Sequence, residues 1–229
     1  MMKIIKSSAP GFKLFFRDLR QRGGAFSPEL LSSVSGIVED VRDCGDQALF
    51  QYTEKFDGYK LKTATIEATN AEKKKAIARV RPEDLKVLKL AARRIEAYHR
   101  HQIARGYQVK NESGVELGQR ILPLQRVGIY APGGKASYPS TILMAAIPAR
   151  IAGVEEIILV SPAPQGKLSP LIAAAAEVSG VQRIFKIGGA QAVAALAFGT
   201  KTVPQVDKIV GPGNAYVAAA KKMVFGQVD

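Results

Sequence analysis

Four short segments rich in glycine and proline stand between a β-branched run and a helical stretch, and a ligand could be held there. They are APGGK (131–135), SPAPQG (161–166), GGAQ (188–191) and GPGN (211–214). Glycine lets a backbone approach a ligand closely, and the free N–H groups at a helix N-terminus attract phosphate. The pattern therefore favours an anionic nucleotide, and we predict a dinucleotide lying across these segments.

The same segments have a simpler interpretation, because glycine after a strand often serves only a tight turn. The string GPGNAY also departs from the usual dinucleotide fingerprint, in which a third glycine would stand at the position of Tyr216. The pattern alone leaves both interpretations open, nucleotide binding and plain turns.

Individual side chains in and beside these segments are candidate ligand contacts. Tyr130 ends a β-branched run just before Pro132, where it could stack on a ligand or only pack in the core. Lys135 could pair with a phosphate or be solvated. Asn214 stands at a helix start, where asparagine is a common N-cap. Glutamine is not a common cap, so Gln191 at its own helix start favours a ligand role more strongly.

Metal and hydrolase chemistry find little support in the sequence. His99 and His101 are two residues apart on a predicted helix and point to different faces. With Cys44 as the single cysteine, they cannot form a standard transition-metal cluster. No serine or cysteine stands with a visible base and an orienting partner. The lone cysteine also excludes an internal disulfide and is typical of a reducing cytoplasm, where we expect the chain.

The elements that would position these side chains change character at residue 126. From there, the β-branched runs RVGIYA, EEIILVS, RIFKIGG and DKIVG alternate with alanine-rich helices. This alternation predicts a parallel sheet with helices on its faces, and ligands bind such sheets outside the carboxyl ends of the strands. The predicted helix boundaries in this part are Ser169 as N-cap, Pro170 at the first position, and Gly180 and Gly199 just past the ends of two helices.

The first part of the chain, up to about residue 105, is predicted to be mostly helical. Residues 106–124 alternate and turn as a hairpin, with NESG as the turn. We therefore divide the chain into a mainly helical region with a hairpin (1–125), completed by further sequence, and a Rossmann-like domain (126–229). The predicted helix signals in the first region are Ser27 as N-cap before Pro28, Gly45 as a break, Asp46 as the cap of a helix through Gln47–Phe56, and Pro82 opening another helix.

Composition narrows the classes of partner. The formal charge is +13, and the excess is spread through mixed-sign helices without a tight basic block or interleaved aromatic residues. This distribution argues against a nucleic-acid partner. No run approaches the roughly 18 apolar residues of a membrane span. The basic N-terminus lacks the apolar core and cleavage site of a signal peptide.

Longer strings resemble one family. RVGIYAPGGKASYPSTILMAAIPARIAGVEEIILVSPA, KIGGAQAVAALAFGTKTVPQVDKIVGPGNAYVAAAKKMVFGQVD and VEDVRDCGDQALFQYTEKFDG are similar to histidinol dehydrogenase. The resemblance runs from about Val34 to Asp229. It implies the fold class already predicted: α/β, with a helical N-terminal region before an incomplete Rossmann-like parallel sheet and its flanking helices.

The resemblance also implies a function. The family oxidises L-histidinol through L-histidinal to L-histidine, reduces two NAD, and works as a zinc-dependent homodimer. Its NAD contacts correspond to Tyr130, Gln191 and Asn214 in this sequence. Its zinc ligands and its proton-transferring Glu–His pair have no counterpart up to Asp229, so no catalytic or metal residue is assigned, and the chain is expected to be an inactive N-terminal portion. The alternative is a non-catalytic nucleotide-binding or interaction module of the same ancestry.

Overall fold

A computed structural model of the chain describes residues 4–21, 26–133 and 137–229. The helices are α1 (Phe12–Gln21), α2 (Pro28–Cys44), α3 (Asp46–Asp57), α4 (Asn70–Ile77), α5 (Pro82–His99), α6 (Pro139–Ile151), α7 (Pro170–Ser179), α8 (Gly189–Phe198) and α9 (Ala215–Met223). The strands are β1 (Tyr107–Lys110), β2 (Glu116–Gln119), β3 (Arg126–Tyr130), β4 (Glu156–Val160), β5 (Arg183–Phe185) and β6 (Lys208–Val210).

The first long helices begin where the sequence predicts. Ser27 caps α2, since its hydroxyl accepts a hydrogen bond from the Leu30 N–H at 3.2 Å, and Gly45 separates α2 from α3 with a φ of 56°. The prediction that Asp46 caps α3 is wrong, because Gly45 occupies the cap position. Asp46 is instead the first helical residue, and its carboxylate accepts a 2.8 Å hydrogen bond from the Thr202 hydroxyl.

The predicted hairpin is confirmed. Strands β1 and β2 pair antiparallel, with Tyr107 opposite Gln119. Within the turn, the Asn111 side chain accepts hydrogen bonds from the N–H groups of Ser113 and Val115. Gly114 follows with a φ of 82°. The strand residues are exposed on both faces of the hairpin.

The predicted parallel sheet is confirmed as well. Its strand order is β5-β4-β3-β6, and each neighbouring pair runs parallel. In chain order these are the third, second, first and fourth strands of the sheet. The direction of strand addition therefore reverses between β3 and β6, and the carboxyl edge at such a switch point is where open α/β sheets bind ligands.

Helices cover both faces of this sheet. On one face α2, α3, α8 and α9 enclose a core that includes Tyr130 and Phe185. On the other face α4, α5, α6 and α7 pack over side chains such as Ile129 and Leu159. The α/β fold class is thereby confirmed. The helical region and the sheet share both cores, while the division at residues 125 and 126 stays a prediction.

Charged pairs join the amino ends of neighbouring strands. Arg126 at the start of β3 pairs with Glu156 at the start of β4. Arg183 at the start of β5 contacts the same Glu156 and forms two hydrogen bonds to Glu67, at 2.8 and 3.0 Å. These pairs hold the edge of the sheet opposite the glycine-rich loops. Across the described ranges, no helix combines the length and the apolar character that crossing a membrane requires.

Candidate functional site

A cavity of about 620 Å³ lies at the carboxyl edge of the sheet, beside the switch point between β3 and β6. Tyr130, Gln191 and Asn214, the three predicted ligand contacts, all line it. The complete lining consists of Ser33, Ile37, Lys55, Phe56, Asp57, Tyr130, Pro132, Gly133, Pro162, Gly189, Ala190, Gln191, Asn214 and Tyr216. The fold thus brings together residues that are far apart in the sequence.

Tyr130 is the last residue of β3 and is 4% exposed. Its hydroxyl oxygen accepts a hydrogen bond from the Gly189 N–H at 3.2 Å, which ties the ring to the start of α8. Burial raises the pKa of the Tyr130 hydroxyl, outweighing the lowering effect of that hydrogen bond, and the charge of Asp57 adds to the rise. The hydroxyl therefore stays neutral at physiological pH and keeps its own proton for donation to a ligand.

Gln191 lies in the first turn of α8 and is 1% exposed. Its side-chain oxygen is buried and has no hydrogen-bond partner among the described residues. Gly189 makes room for this amide: a Cβ there would lie 2.5 Å from the Gln191 oxygen, and the residue has a φ of 68°. An unpaired buried acceptor is costly, so it marks a place where a ligand can donate a hydrogen bond.

Asn214 is the N-cap of α9. Its side-chain oxygen accepts a 3.1 Å hydrogen bond from the Val217 N–H, which confirms the cap interpretation. The residue is exposed at the cavity, so its amide NH₂ can still reach a ligand. The start of α9 is held close to β3 by Gly211, where a Cβ would lie 2.1 Å from the Tyr130 carbonyl oxygen.

Asp57 is a cavity residue that the sequence analysis missed. It is the last residue of α3, followed by Gly58 in the left-handed conformation. One of its carboxylate oxygens is buried without a hydrogen-bond partner among the described residues, and burial raises the pKa of this carboxyl group. A sequence signal did exist, because an aspartate is disfavoured at the negative end of a helix dipole. This helix lies in the first half of the chain, far in sequence from the four glycine-rich loops.

Among the other candidates that the structure describes, the histidines and the cysteine do not line the cavity. Lys135 lies outside the described residues. His99 borders a larger groove of about 760 Å³, lined mainly by apolar side chains of α6 and residues 121–124, and its Nδ1 lies 2.6 Å from the Gln102 side-chain oxygen. Across the described ranges, no group of three or more His, Cys, Asp or Glu side chains is placed to hold a metal ion. These residues therefore do not fit a zinc site.

The fold and the cavity place the chain among α/β proteins that carry their site at the carboxyl edge of a parallel sheet. Residues 20–229 match the family model described as histidinol dehydrogenase. The chain belongs to the histidinol dehydrogenase family.

Individual relatives agree with the family match. The chain is 52% identical to histidinol dehydrogenase of Syntrophotalea carbinolica, over 100% of this chain and 53% of the relative. It is 49% identical to that of Geobacter metallireducens, over 99% of this chain and 52% of the relative. The crystal structure of histidinol dehydrogenase from Elizabethkingia anophelis superposes with a TM-score of 0.83 at 37% identity, covering 93% of this chain and 49% of that one. The chain spans about half the length of these relatives.

Proposed function

We propose that this chain provides the NAD-binding part of a histidinol dehydrogenase, which oxidises L-histidinol through L-histidinal to L-histidine in histidine biosynthesis. The observation that carries the proposal is the meeting of Tyr130, Gln191 and Asn214 around one cavity at the switch point. These are the residues that the family resemblance assigns to NAD. The family resemblance also supports a cytoplasmic homodimer as the working form of the complete enzyme.

The lining of the cavity offers groups that suit the phosphates and the rings of a dinucleotide. Helices α8 and α9 both begin at the cavity, where their N-terminal N–H groups favour the phosphates. The ring of Tyr216 lines the same space, is 46% exposed and can pack on a flat ligand group. When bound, NAD supplies the acceptor for the hydride removed from the alcohol and then from the aldehyde. The residues of this chain bind and orient that acceptor.

The proton transfers and the zinc chemistry of the family are not assigned to this chain. The family resemblance links them to residues without a counterpart in this sequence, and the described residues do not fit a metal site. We therefore propose that the 229 residues bind NAD without oxidising histidinol.

The proposal is tested by measuring NAD binding to the purified chain by isothermal titration calorimetry. Replacing Gln191 by Leu keeps the buried volume but removes the amide, so we expect roughly tenfold weaker NAD binding, the effect of losing about one hydrogen bond in a buried site. The matched control is the same substitution at Gln51, on the exposed side of α3. The Gln51→Leu variant should bind NAD as the unaltered chain does.

The catalytic part of the proposal is tested by following NADH absorbance with histidinol, NAD and zinc present. We expect binding but no turnover from this chain. Zinc-dependent NADH formation would show that the catalytic groups lie within these residues. Absence of any saturable NAD binding would reject the assignment of the cavity to NAD.

A further inference from the structure

Asp57 gives the cavity a carboxylate that has no counter-ion among the residues the structure describes. It reaches the site from the end of α3, on the same side of the sheet as Tyr130 and Gln191. Lys55 also borders the cavity, but its ammonium lies over the rings of Tyr52 and Phe56, 5.9 and 5.5 Å from their centres. Among the described residues, no ion pair joins Lys55 to Asp57.

The position of this carboxylate is unfavourable for folding in two independent ways. It stands at the C-terminal end of a helix, where the dipole repels negative charge. One of its oxygens is also buried without a hydrogen-bond partner among the described residues. Groups that violate local rules in this manner concentrate at functional sites.

The polarity of the cavity indicates what the ligand must offer near Asp57. A carboxylate accepts hydrogen bonds and cannot donate them, and the Gln191 oxygen is a second buried acceptor without a partner among the described residues. Both therefore require hydrogen-bond donors from the ligand. A phosphate group at pH 7 offers acceptors and negative charge, whereas the hydroxyl groups of a ribose offer donors.

The position that normally holds such an acid is occupied by other residues here. In dinucleotide-binding sheets an acidic residue at the end of the second strand contacts the ribose hydroxyl groups. The second parallel strand of this sheet is β4, and Ser161 and Pro162 follow it. An acidic residue that makes this contact must therefore come from another element, and α3 places Asp57 at the cavity.

We propose that Asp57 is a specificity-determining residue: its carboxylate accepts hydrogen bonds from the free hydroxyl groups of a nucleotide ribose and repels a ribose that carries a 2′-phosphate. This inference rests on the proposed function of the cavity. It predicts a preference of this chain for NAD over NADP that originates in α3 and not in the loops after the strands.

The test compares NAD and NADP binding to the unaltered chain, Asp57→Asn and Glu54→Gln by isothermal titration calorimetry. Asparagine has the shape of aspartate but lacks its charge, so D57N should bind NAD more weakly and lower the NAD-to-NADP preference by about tenfold. E54Q removes a charge from the exposed side of the same helix and should keep the preference unchanged. Thermal unfolding of D57N should occur at or above the temperature of the unaltered chain, because the substitution removes a charge whose buried oxygen has no hydrogen-bond partner among the described residues.

The outcomes separate this inference from the proposed function. An NAD preference that D57N leaves unchanged overturns the role of Asp57, while the NAD assignment stands. Equal binding of NAD and NADP by the unaltered chain also overturns the role of Asp57 and leaves the NAD assignment standing. Failure of the unaltered chain to bind either dinucleotide rejects the proposed function itself, and the role of Asp57 with it.

Discussion

At the scale of single residues, Gly211 determines how closely the ends of β3 and β6 can approach. It has a φ of 113°, and a Cβ there would lie 2.1 Å from the Tyr130 carbonyl oxygen, which is a backbone atom with little freedom to move. Gly226 also has a positive φ, of 91°, but a Cβ there would meet nothing within 4 Å. A comparison of alanine substitutions at the two positions therefore distinguishes the effect of backbone strain from that of steric overlap.

We expect Gly226→Ala to lower the free energy of unfolding by about 1–2 kcal/mol, the usual effect of a side chain at positive φ. Gly211→Ala adds an overlap with backbone that itself costs about 1–3 kcal/mol, so its total loss should be clearly larger. Urea denaturation of both variants measures the difference. Equal losses would mean that the ends of β3 and β6 can move apart at little cost in free energy.

At the scale of elements, one ion pair fixes α4 to the sheet. Lys186 follows β5 and is 3% exposed, and its Nζ donates to the Glu72 carboxylate at 2.7 Å. The other Glu72 oxygen accepts from the Thr69 N–H at 2.8 Å and closes a capping box at the start of α4. Burial raises the pKa of Glu72, but the hydrogen bonds from Lys186 and Thr69 outweigh it and the pKa is lowered overall.

The two ends of this ion pair are not equivalent, because Lys186 is buried whereas the Glu72 side chain is 41% exposed. We expect Glu72→Gln to cost about 2–3 kcal/mol, since glutamine preserves the capping box but leaves a buried ammonium without its counter-ion. Lys186→Met should cost about 1 kcal/mol or less, because water can hydrate the remaining carboxylate. Urea denaturation ranks the variants. The opposite ranking would show that the lysine, once unpaired, reaches solvent.

At the scale of the whole molecule, charge makes the fold sensitive to acid. The chain carries a net charge of +13, and protonating its 20 acidic side chains leaves 33 lysines and arginines and 2 histidines charged. The pKa values of Glu96 and Asp84 are lowered in the fold, mainly by hydrogen bonds from arginine side chains. Burial raises the pKa of Glu72, but the hydrogen bonds from Lys186 and Thr69 outweigh it and lower the pKa overall. A lowered carboxyl pKa contributes stability above the unfolded value, and this stability is lost as the pH falls through the folded value.

We therefore expect the chain to lose stability progressively below about pH 4.5, the ordinary pKa of a glutamate. Asp57 acts in the opposite sense, because its raised pKa favours the folded state on protonation, but it is a single group.

Raising the salt concentration from about 0.01 to 0.1 M shortens the screening length from about 30 to 10 Å. The acid midpoint, followed by circular dichroism, should then move to lower pH. A midpoint independent of salt would exclude net-charge repulsion as the cause.

Much of the fold is predictable because its signals are local. The Ser27 cap, the break at Gly45 and the NESG turn each depend on hydrogen bonds or φ angles within a few residues. Alternation of β-branched and alanine-rich segments likewise predicts the parallel sheet. The prediction that Asp46 caps α3 is wrong because Gly45 occupies the cap position, and the Asp46 carboxylate instead accepts a hydrogen bond from Thr202 in the loop after α8. No local pattern contains that information.

For the candidate site, the sequence by itself determined the glycine-rich loops, the helix starts behind them and the candidates Tyr130, Gln191 and Asn214, whose roles as NAD contacts stay predictions. The tertiary structure decided which loops meet, since the strand order β5-β4-β3-β6 brings the ends of β3 and β6 together. It also placed Asp57 in the cavity, because α3 packs against α8 on one face of the sheet. Spacing and propensity act over a few residues, whereas contacts between distant segments depend on which apolar faces are buried together, and that becomes defined only when the chain packs.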